Sequence, residues 1–445
     1  MSTLPLLGHA SLDEIFAYRP SGPRRVRDFL ADAQALADRL PPNRHLLNVC
    51  QDRYHFAVGL AGGLLRGKTS LQPSSQSAET LRQVKLDCPD VLCLCDSNFD
   101  SLDLPRLNFP ELSDADPQRV TAIPHIPADH PAVRVYTSGT SGQPTPHGKS
   151  WRSLVKNGRA AAHHLGSAGH CAVGTVPAQH MYGFESTILL ALHGNTPFWS
   201  GKPFYAQDIV AALQAVPAPR LLVTTPFHLS ALLAAGLDLP AVDLLLSATA
   251  PLSSGLAREA EKRLAAPLYE IYGCTETGQI ASRRTTADLT WKLLDAIHLE
   301  QGDGQSTVFG GHVEGRVVLS DVIERLDAEH FLLHGRHADL INIAGKRTSL
   351  AYLNHQVAAI PGVTDGAFFQ PDEETPDGIT RLAAFVVAPG LNRRELLAAL
   401  RQRVDSIFLP RPLIFVDRLP RNATGKLPRE QLQTLYSERN GHACH

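Results

Sequence analysis

The chain has 445 residues, 43% hydrophobic and 19% charged, a globular composition over a length that one hydrophobic core rarely serves, so at least two domains are expected. Lys+Arg 42 against Asp+Glu 44 leaves a formal charge of −2, which excludes a bulk basic field for nucleic acid or an anionic membrane and fits small-molecule chemistry. Its 7 cysteines, at positions 50, 88, 93, 95, 171, 274 and 444, include no CxxC pair and argue against a disulfide framework.

Met1 to Glu14 lacks a cationic start followed by an apolar core, so it does not read as a signal peptide, and the longest apolar runs, such as Phe56 to Leu65, are too short and Gly-broken to span a bilayer. A cytoplasmic location is expected. Residues 1–45 combine Pro-containing linkers with a helical pattern from Val26 to Leu40, whose Phe29, Leu30, Ala33, Leu36 and Leu40 share one face. A buried strand at Leu46 to Cys50, a small-residue helix at Tyr54 to Leu65, a turn at Gln72 to Ser75, a helix at Ala78 to Leu86 and a strand at Val91 follow. Cys93 and Cys95 fall on one face of that strand and read as small buried hydrophobes rather than metal ligands.

The Pro- and Asp-rich span from Phe99 to Pro131 reads as loop. Beyond it come a helix at Ser150 to Leu165, a strand at Cys171 to Val176, a loop through Gly183 and a helix at Glu185 to Leu192. The same rhythm recurs at Leu221 to Thr224 with Pro226 to Leu233, and at Leu244 to Ser247 with Pro251 to Leu264. Strand and helix alternating in this way predict α/β subregions built on parallel sheets. From Thr285 to Leu333 the texture turns to short Gly-punctuated strands, a β-rich region closing a large domain. Past Arg336 a compact α/β unit restarts, with a hairpin at Leu340 to Ser349, a helix at Ala351 to Ala358, strands at Gly362 to Phe369, Leu382 to Val387 and Pro412 to Val416, and a helix at Arg393 to Val404. A polar tail follows Glu438.

One stretch organises this layout. From Tyr136 to Lys149 the chain reads Tyr-Thr-Ser-Gly-Thr-Ser-Gly-Gln-Pro-Thr-Pro-His-Gly-Lys, entered through the β-formers Val133 and Val135. Thr137, Ser138, Thr140 and Ser141 offer hydroxyls, and Gly139 and Gly142 let backbone N–H groups face an anion. A nucleotide polyphosphate is the ligand this suggests, with the following helix placing its positive end nearby. A Walker loop would need Gly where Gln143 stands.

Three further segments fall in order behind it: Tyr272-Gly273-Cys274-Thr275-Glu276-Thr277, then Ser320-Asp321 with Gly335-Arg336, and Leu419-Pro420-Arg421-Asn422-Ala423-Thr424-Gly425-Lys426. Together they resemble the AMP-forming, adenylating superfamily of acyl- and aryl-CoA synthetases, nonribosomal-peptide adenylation domains and luciferases, over most of the chain. The resemblance implies a large domain over 1–336 that binds ATP and acid, and a small mobile α/β cap over 337–445 that carries the catalytic lysine. It implies a carboxylic acid joined to ATP as an acyl-adenylate with release of pyrophosphate, then passed to a thiol. Attack of a carboxylate on an anionic phosphate meets a repulsion of about 4 kcal/mol per charge pair near 4 Å at an effective dielectric near 20, and Lys426 matches the cation that bridges the two groups.

By the same resemblance Glu276 holds Mg²⁺ on the phosphates, Thr275 contacts the α-phosphate, Tyr272 beside Gly273 stacks on adenine, and Ala248, Thr249 and Ala250 form the opposite wall. Asp321 takes the ribose hydroxyls with Arg336 beside it, and His180 and Tyr182 border the acid, where a purely structural histidine is the other reading of His180. Three departures stand out. Thr145 occupies the place of the loop lysine, leaving either Lys149 or the hydroxyls with Mg²⁺ to hold pyrophosphate; Ala338 replaces a charged hinge residue; and the amino-terminal region is short. The last feature is similar to compact ligases of bacterial aryl-polyene and xanthomonadin-like pigment clusters, which implies a small aryl acid and, as acceptor, the phosphopantetheine thiol of an acyl carrier protein. A CoA synthetase using free CoA and a non-catalytic adenylate-binding homologue are the alternatives.

Overall fold

The computed structural model describes residues 2–73, 76–97, 104–137, 145–302, 305–336, 340–343, 346–371, 381–421 and 427–440. Two large sheets frame the structure. The first has 6 strands in the spatial order Thr145–Ser150, Pro131–Thr137, Thr69–Gln72, His45–Asn48, Val91–Cys95, Arg106–Asn108. All its neighbours run parallel except the edge pair Pro131–Thr137 and Thr145–Ser150. Sequence reading led from the loop after Thr137 straight into a helix; instead the chain returns as an antiparallel edge strand, with Thr145 paired to Thr137, before Ser150 caps the helix Trp151–Leu165. The loop therefore closes a hairpin, and that helix does not begin at the loop.

The second sheet has 11 strands. At its centre Phe198–Trp199, Cys171–Gly174, Arg220–Thr224, Leu244–Ser247 and Leu268–Cys274 lie parallel in that order. Of these, Cys171–Gly174, Arg220–Thr224 and Leu244–Ser247 are short apolar runs buried on both faces, as parallel strands between helices must be. Thr225 and Ser253 cap the crossover helices Pro226–Ala234 and Ser254–Leu264, accepting the N–H of His228 and Leu256. The antiparallel strands Gly278–Arg283, Trp291–Leu293, His330–Arg336 and Asp321–Arg325 extend one side of this sheet. A separate 3-stranded sheet of Ile297–Gly302, Gln305–Gly310 and Val313–Leu319 completes the expected β-rich region.

One guanidinium ties the two sheets together. Arg53 opens the helix Arg53–Leu65 behind the first sheet and is fully buried. It donates to the carbonyls of Gly174 (3.1 Å), Val176 (2.8 Å), Trp199 (3.2 Å) and Gly201 (2.7 Å) at the ends of second-sheet strands. Burial pulls it down to about 10, so it stays charged at neutral pH.

From Ile341 to Leu413 a separate core forms around Leu353, Val357, Phe368, Val386, Leu396 and Leu400. It is built from the sheet Asp365–Phe369, Ala383–Val387, Leu413–Phe415 and the helices Leu350–Ala358 and Arg393–Arg401. The helix Arg429–Asn440, which runs two residues past Glu438, packs Leu432 and Tyr436 near Phe369 and Phe385; the rest of the expected polar tail lies outside the described residues. The helix Ala206–Gln214 and the strands Ile15–Arg19 and Gly22–Arg25 were also not anticipated. No helix among the described residues is long and apolar enough to cross a membrane.

Candidate active site

In an open parallel sheet the carboxyl ends of the strands are where ligands bind, because the chain leaves the sheet there and several loops converge. The central strands Cys171–Gly174, Leu244–Ser247 and Leu268–Cys274, the first two parted by Arg220–Thr224, lead beyond their carboxyl ends to the segments His180–Tyr182, Ala248–Ala250 and Thr275–Glu276. The edge hairpin of the first sheet brings Lys149 onto the last of them.

Thr275, Glu276 and Thr277 form a three-residue turn between Leu268–Cys274 and Gly278–Arg283, in which Cys274 pairs with Gly278. Two glycines permit it. A Cβ on Gly273 would stand 2.1 Å from the Gly278 carbonyl oxygen, and Gly278 has φ +74° with Glu185 Oε1 2.3 Å from where its Cβ would be. Thr277 Oγ1 donates to the Gly278 carbonyl and receives the Cys274 N–H, tightening the turn. Thr275 and Glu276 remain half-buried at its tip.

On the edge strand Thr145–Ser150, alternate residues share a face, and His147 and Lys149 both reach this turn. His147 Nε2 lies 3.6 Å from Glu276 Oε1, and Lys149 Nζ donates to the Glu276 carbonyl. Half-burial raises the Glu276 carboxyl, but a hydrogen bond with the Cys274 thiol and the nearby His147 and Lys149 more than offset it and hold the group below the usual carboxylate range. An ionised oxygen donor of this kind fits Mg²⁺, which is bound through one or two carboxylates together with substrate phosphates. Among the described residues no group of three or more His, Cys, Asp or Glu makes an all-protein metal cage. Lys149 is buried, and burial pulls its ammonium down despite Glu185, Glu314 and Glu276 nearby. Its ammonium braces the turn.

Tyr272 Oη donates to Asp321 Oδ2 at 2.9 Å, joining two residues that sequence had assigned to adenine and ribose. The Tyr272 ring packs at 5.5 Å from Trp291 and 5.6 Å from Phe331, and Asp321 stands opposite Arg336 across the strand pair. Ala248, Thr249 and Ala250 leave the strand Leu244–Ser247 next to the strand that continues to Tyr272. Thr249 holds φ +77°, a left-handed backbone that costs a β-branched residue of order 1–3 kcal/mol and is found chiefly where a ligand or turn demands it.

His180 stands at the N-cap position of the turn Met181–Gly183 without a side-chain cap bond, and Tyr182 Oη is shut from solvent, with burial pushing the phenol well up. Thr175 and Thr224 hydroxyls meet at 3.2 Å on the neighbouring strand ends. Thr137 ends its strand. Ser138, Gly139, Thr140, Ser141 and Gly142, expected from sequence to meet phosphate, Ala338, expected at a hinge, and Lys426, expected to bridge the reacting groups, lie outside the described residues.

Glu185 escaped sequence reading. It is 3% exposed and accepts from Asn157 Nδ2 at 2.6 Å and from the Gln279 N–H at 3.1 and 3.2 Å. Burial pushes it up to about 7, against hydrogen bonds from Gln279 and Asn157 and the field of Lys149. A lone acid within Phe184-Glu185-Ser186-Thr187-Ile188-Leu189-Leu190 was the available signal.

The family model described as AMP-binding enzyme matches residues 39–299, and that of the AMP-binding enzyme C-terminal domain matches 355–426. A 4-coumarate–CoA ligase of Halorhodospira halophila is 29% identical over 303 residues, 65% of this chain and 73% of that protein. A 2-succinylbenzoate–CoA ligase of Bacillus cereus is 24% identical over 396 residues, 80% of each. Among solved structures, the o-succinylbenzoate CoA synthetase of Bacillus subtilis with its acyl-adenylate intermediate superposes with a TM-score of 0.80 at 18% identity, covering 97% of this chain and 99% of that one. The same enzyme with ATP and a magnesium ion also gives 0.80.

Proposed function

The chain belongs to the AMP-binding enzyme family, and on that premise we propose that this AMP-forming acid–thiol ligase activates a small aromatic carboxylic acid with ATP and passes it to a phosphopantetheine thiol, that of an acyl carrier protein. The observation that carries this reading is that the Thr275–Glu276 turn and Tyr182 both follow carboxyl ends of central strands of one sheet, with Tyr272 bonded to Asp321 beside the turn. It is supported by relatives named as ligases of aromatic acids and by a fold neighbour seen with ATP and magnesium.

In this reading Tyr272 and the Ala248–Ala250 wall flank adenine, while Asp321, with Arg336, takes the ribose hydroxyls. Thr275 meets the α-phosphate, the hydroxyls of the 137–142 loop meet the β- and γ-phosphates, and Glu276 holds Mg²⁺, which supplies charge neutralisation there. Lys426, from a small cap unit over 337–445, stands between the carboxylate and the α-phosphate. His180 and Tyr182 border the acid, and the buried phenol of Tyr182 favours substrates that bring a hydroxyl to pair with it. Such a site penalises ligands lacking the hydroxyl more than it rewards a larger apolar group.

The test is pyrophosphate release across 3- and 4-hydroxybenzoate, benzoate, cinnamates and C8 to C16 fatty acids, each with free CoA or a holo carrier protein as acceptor. A hydroxylated aryl acid is expected to exceed benzoate. Preference for a long fatty acid overturns the aryl pocket, loading of CoA without the carrier overturns the acceptor, and no release with any acid overturns the reading.

A further inference from the structure

We propose that Glu185 is a positioning residue for the Thr275–Glu276 turn, acting through Gln279 and Asn157; the inference rests on the roles proposed above for that turn. Glu185 reaches the turn through hydrogen bonds to Asn157 and Gln279. Its carboxylate closes a ring of three side chains drawn from three elements. Oε1 takes the Asn157 amide from the helix Trp151–Leu165, both oxygens face the Gln279 N–H on the strand Gly278–Arg283, and Gln279 Nε2 donates back to Asn157 Oδ1 at 3.0 Å. The ring pins the chain three residues after Glu276, where it returns to the sheet. Lys149 pins the Glu276 carbonyl from the edge strand. The turn is therefore held from both sides.

Local backbone accommodates this carboxylate at some cost. Glu185 sits in a π-type turn, Phe184–Leu189, whose wider winding re-aims side chains and recurs at functional sites. Gly278 leaves room for Oε1 where any Cβ would clash, and Gly158 lets the helix backbone approach to where a Cβ would be 2.7 Å from the Leu189 carbonyl oxygen. A buried carboxylate stabilises a fold poorly, since apolar or amide groups of similar shape do as well without the desolvation cost. Its value lies in accepting two donors in fixed directions. Those directions fix Gln279, three residues beyond Glu276, while Lys149 holds the Glu276 carbonyl.

Glu185→Gln keeps the volume but turns one acceptor oxygen into a donor facing Gln279 or Asn157. In the full-length enzyme, amide hydrogen exchange of residues 278–280 should accelerate about tenfold, and the Kd for a non-hydrolysable ATP analogue with Mg²⁺ should rise about tenfold, as for one lost hydrogen bond to a charged group. Binding of adenosine, which needs Tyr272 and Asp321 but not the turn, should stay unchanged. A role in folding alone would weaken both ligands together. MgATP-analogue affinity and 278–280 exchange both at the wild-type level, or equal losses for adenosine, would overturn the proposal. Should Glu185→Gln fail to fold, Asn157→Ser cuts the same ring and must show the same selective loss. No readout uses turnover, so an enzyme that releases no pyrophosphate would refute the proposed reaction while these measurements still decide the support.

Discussion

Lys426 is the residue on which the proposed chemistry turns, because nothing else assigned to the site stands between two anions. Lys426→Ala is expected to reduce acyl-adenylate formation at least about a hundredfold, the scale of a lost electrostatic stabiliser, while MgATP-analogue binding stays nearly unchanged; pyrophosphate exchange and calorimetry check the two halves. A second expectation concerns pH. Burial pulls His193 down to about 3 and His228 and His312 to about 4, all from an ordinary value of 6.5. Their native-state values lie below the unfolded ones, so their contribution to stability is complete above pH 6.5 and is lost as pH falls toward 4. Glu185, pushed up to about 7, acts in the opposite sense, its share being present below the ordinary carboxylate range and lost as pH rises through 7. Three histidines outweigh one carboxyl, and melting temperature should fall on acidification from pH 6.5. His228→Asn, which can still pair with Thr225 as His228 Nδ1 does at 2.9 Å, should make that fall shallower; an unchanged slope would show that His228 does not carry a share.

Elements differ in how openly the sequence announced them. Leu244–Ser247 and Arg220–Thr224 were legible because an apolar run bounded by Ser, Thr and Pro has no other comfortable place than a buried parallel strand. Thr145–Ser150 was not, since Pro146 and Gly148 argue against a strand; it survives at the sheet edge, where proline's missing N–H breaks no ladder. Motif residues such as Tyr272, Glu276 and Asp321 could be named one at a time. The bond between Tyr272 and Asp321 and the ring through Glu185 could not, because their partners lie 49 and 94 residues apart. Arg53 was hidden for the same reason. Arg53→Ala would strip four carbonyls of their donor in a buried place, and a loss of about 3–5 kcal/mol is expected, with Arg53→Lys intermediate; urea unfolding monitored by circular dichroism measures both.

Across the whole molecule, the core gathered from Ile341 to Leu413 is distinct from the one that runs from Leu6 to Phe331, and Ala338 falls in the short link between them. Proline there would fix φ near −65°. If the cap must reorient between half-reactions, Ala338→Pro should slow thioester formation at least about tenfold more than adenylation, since only the second step needs the soft dihedrals of a hinge; equal losses in separately assayed half-reactions would show that no such reorientation passes through this position. The Arg53 tie between the sheets has a different bearing, on the order of events while the chain is being made. Its acceptors stand 121 to 148 residues downstream. A ribosome that has released the strands around His45–Asn48 has not yet supplied anything for this guanidinium to bind, and closing so long a loop is slow. Until the Cys171–Gly201 segment emerges, Arg53 has none of its native acceptors, so the tie between the two sheets forms only after both are synthesised.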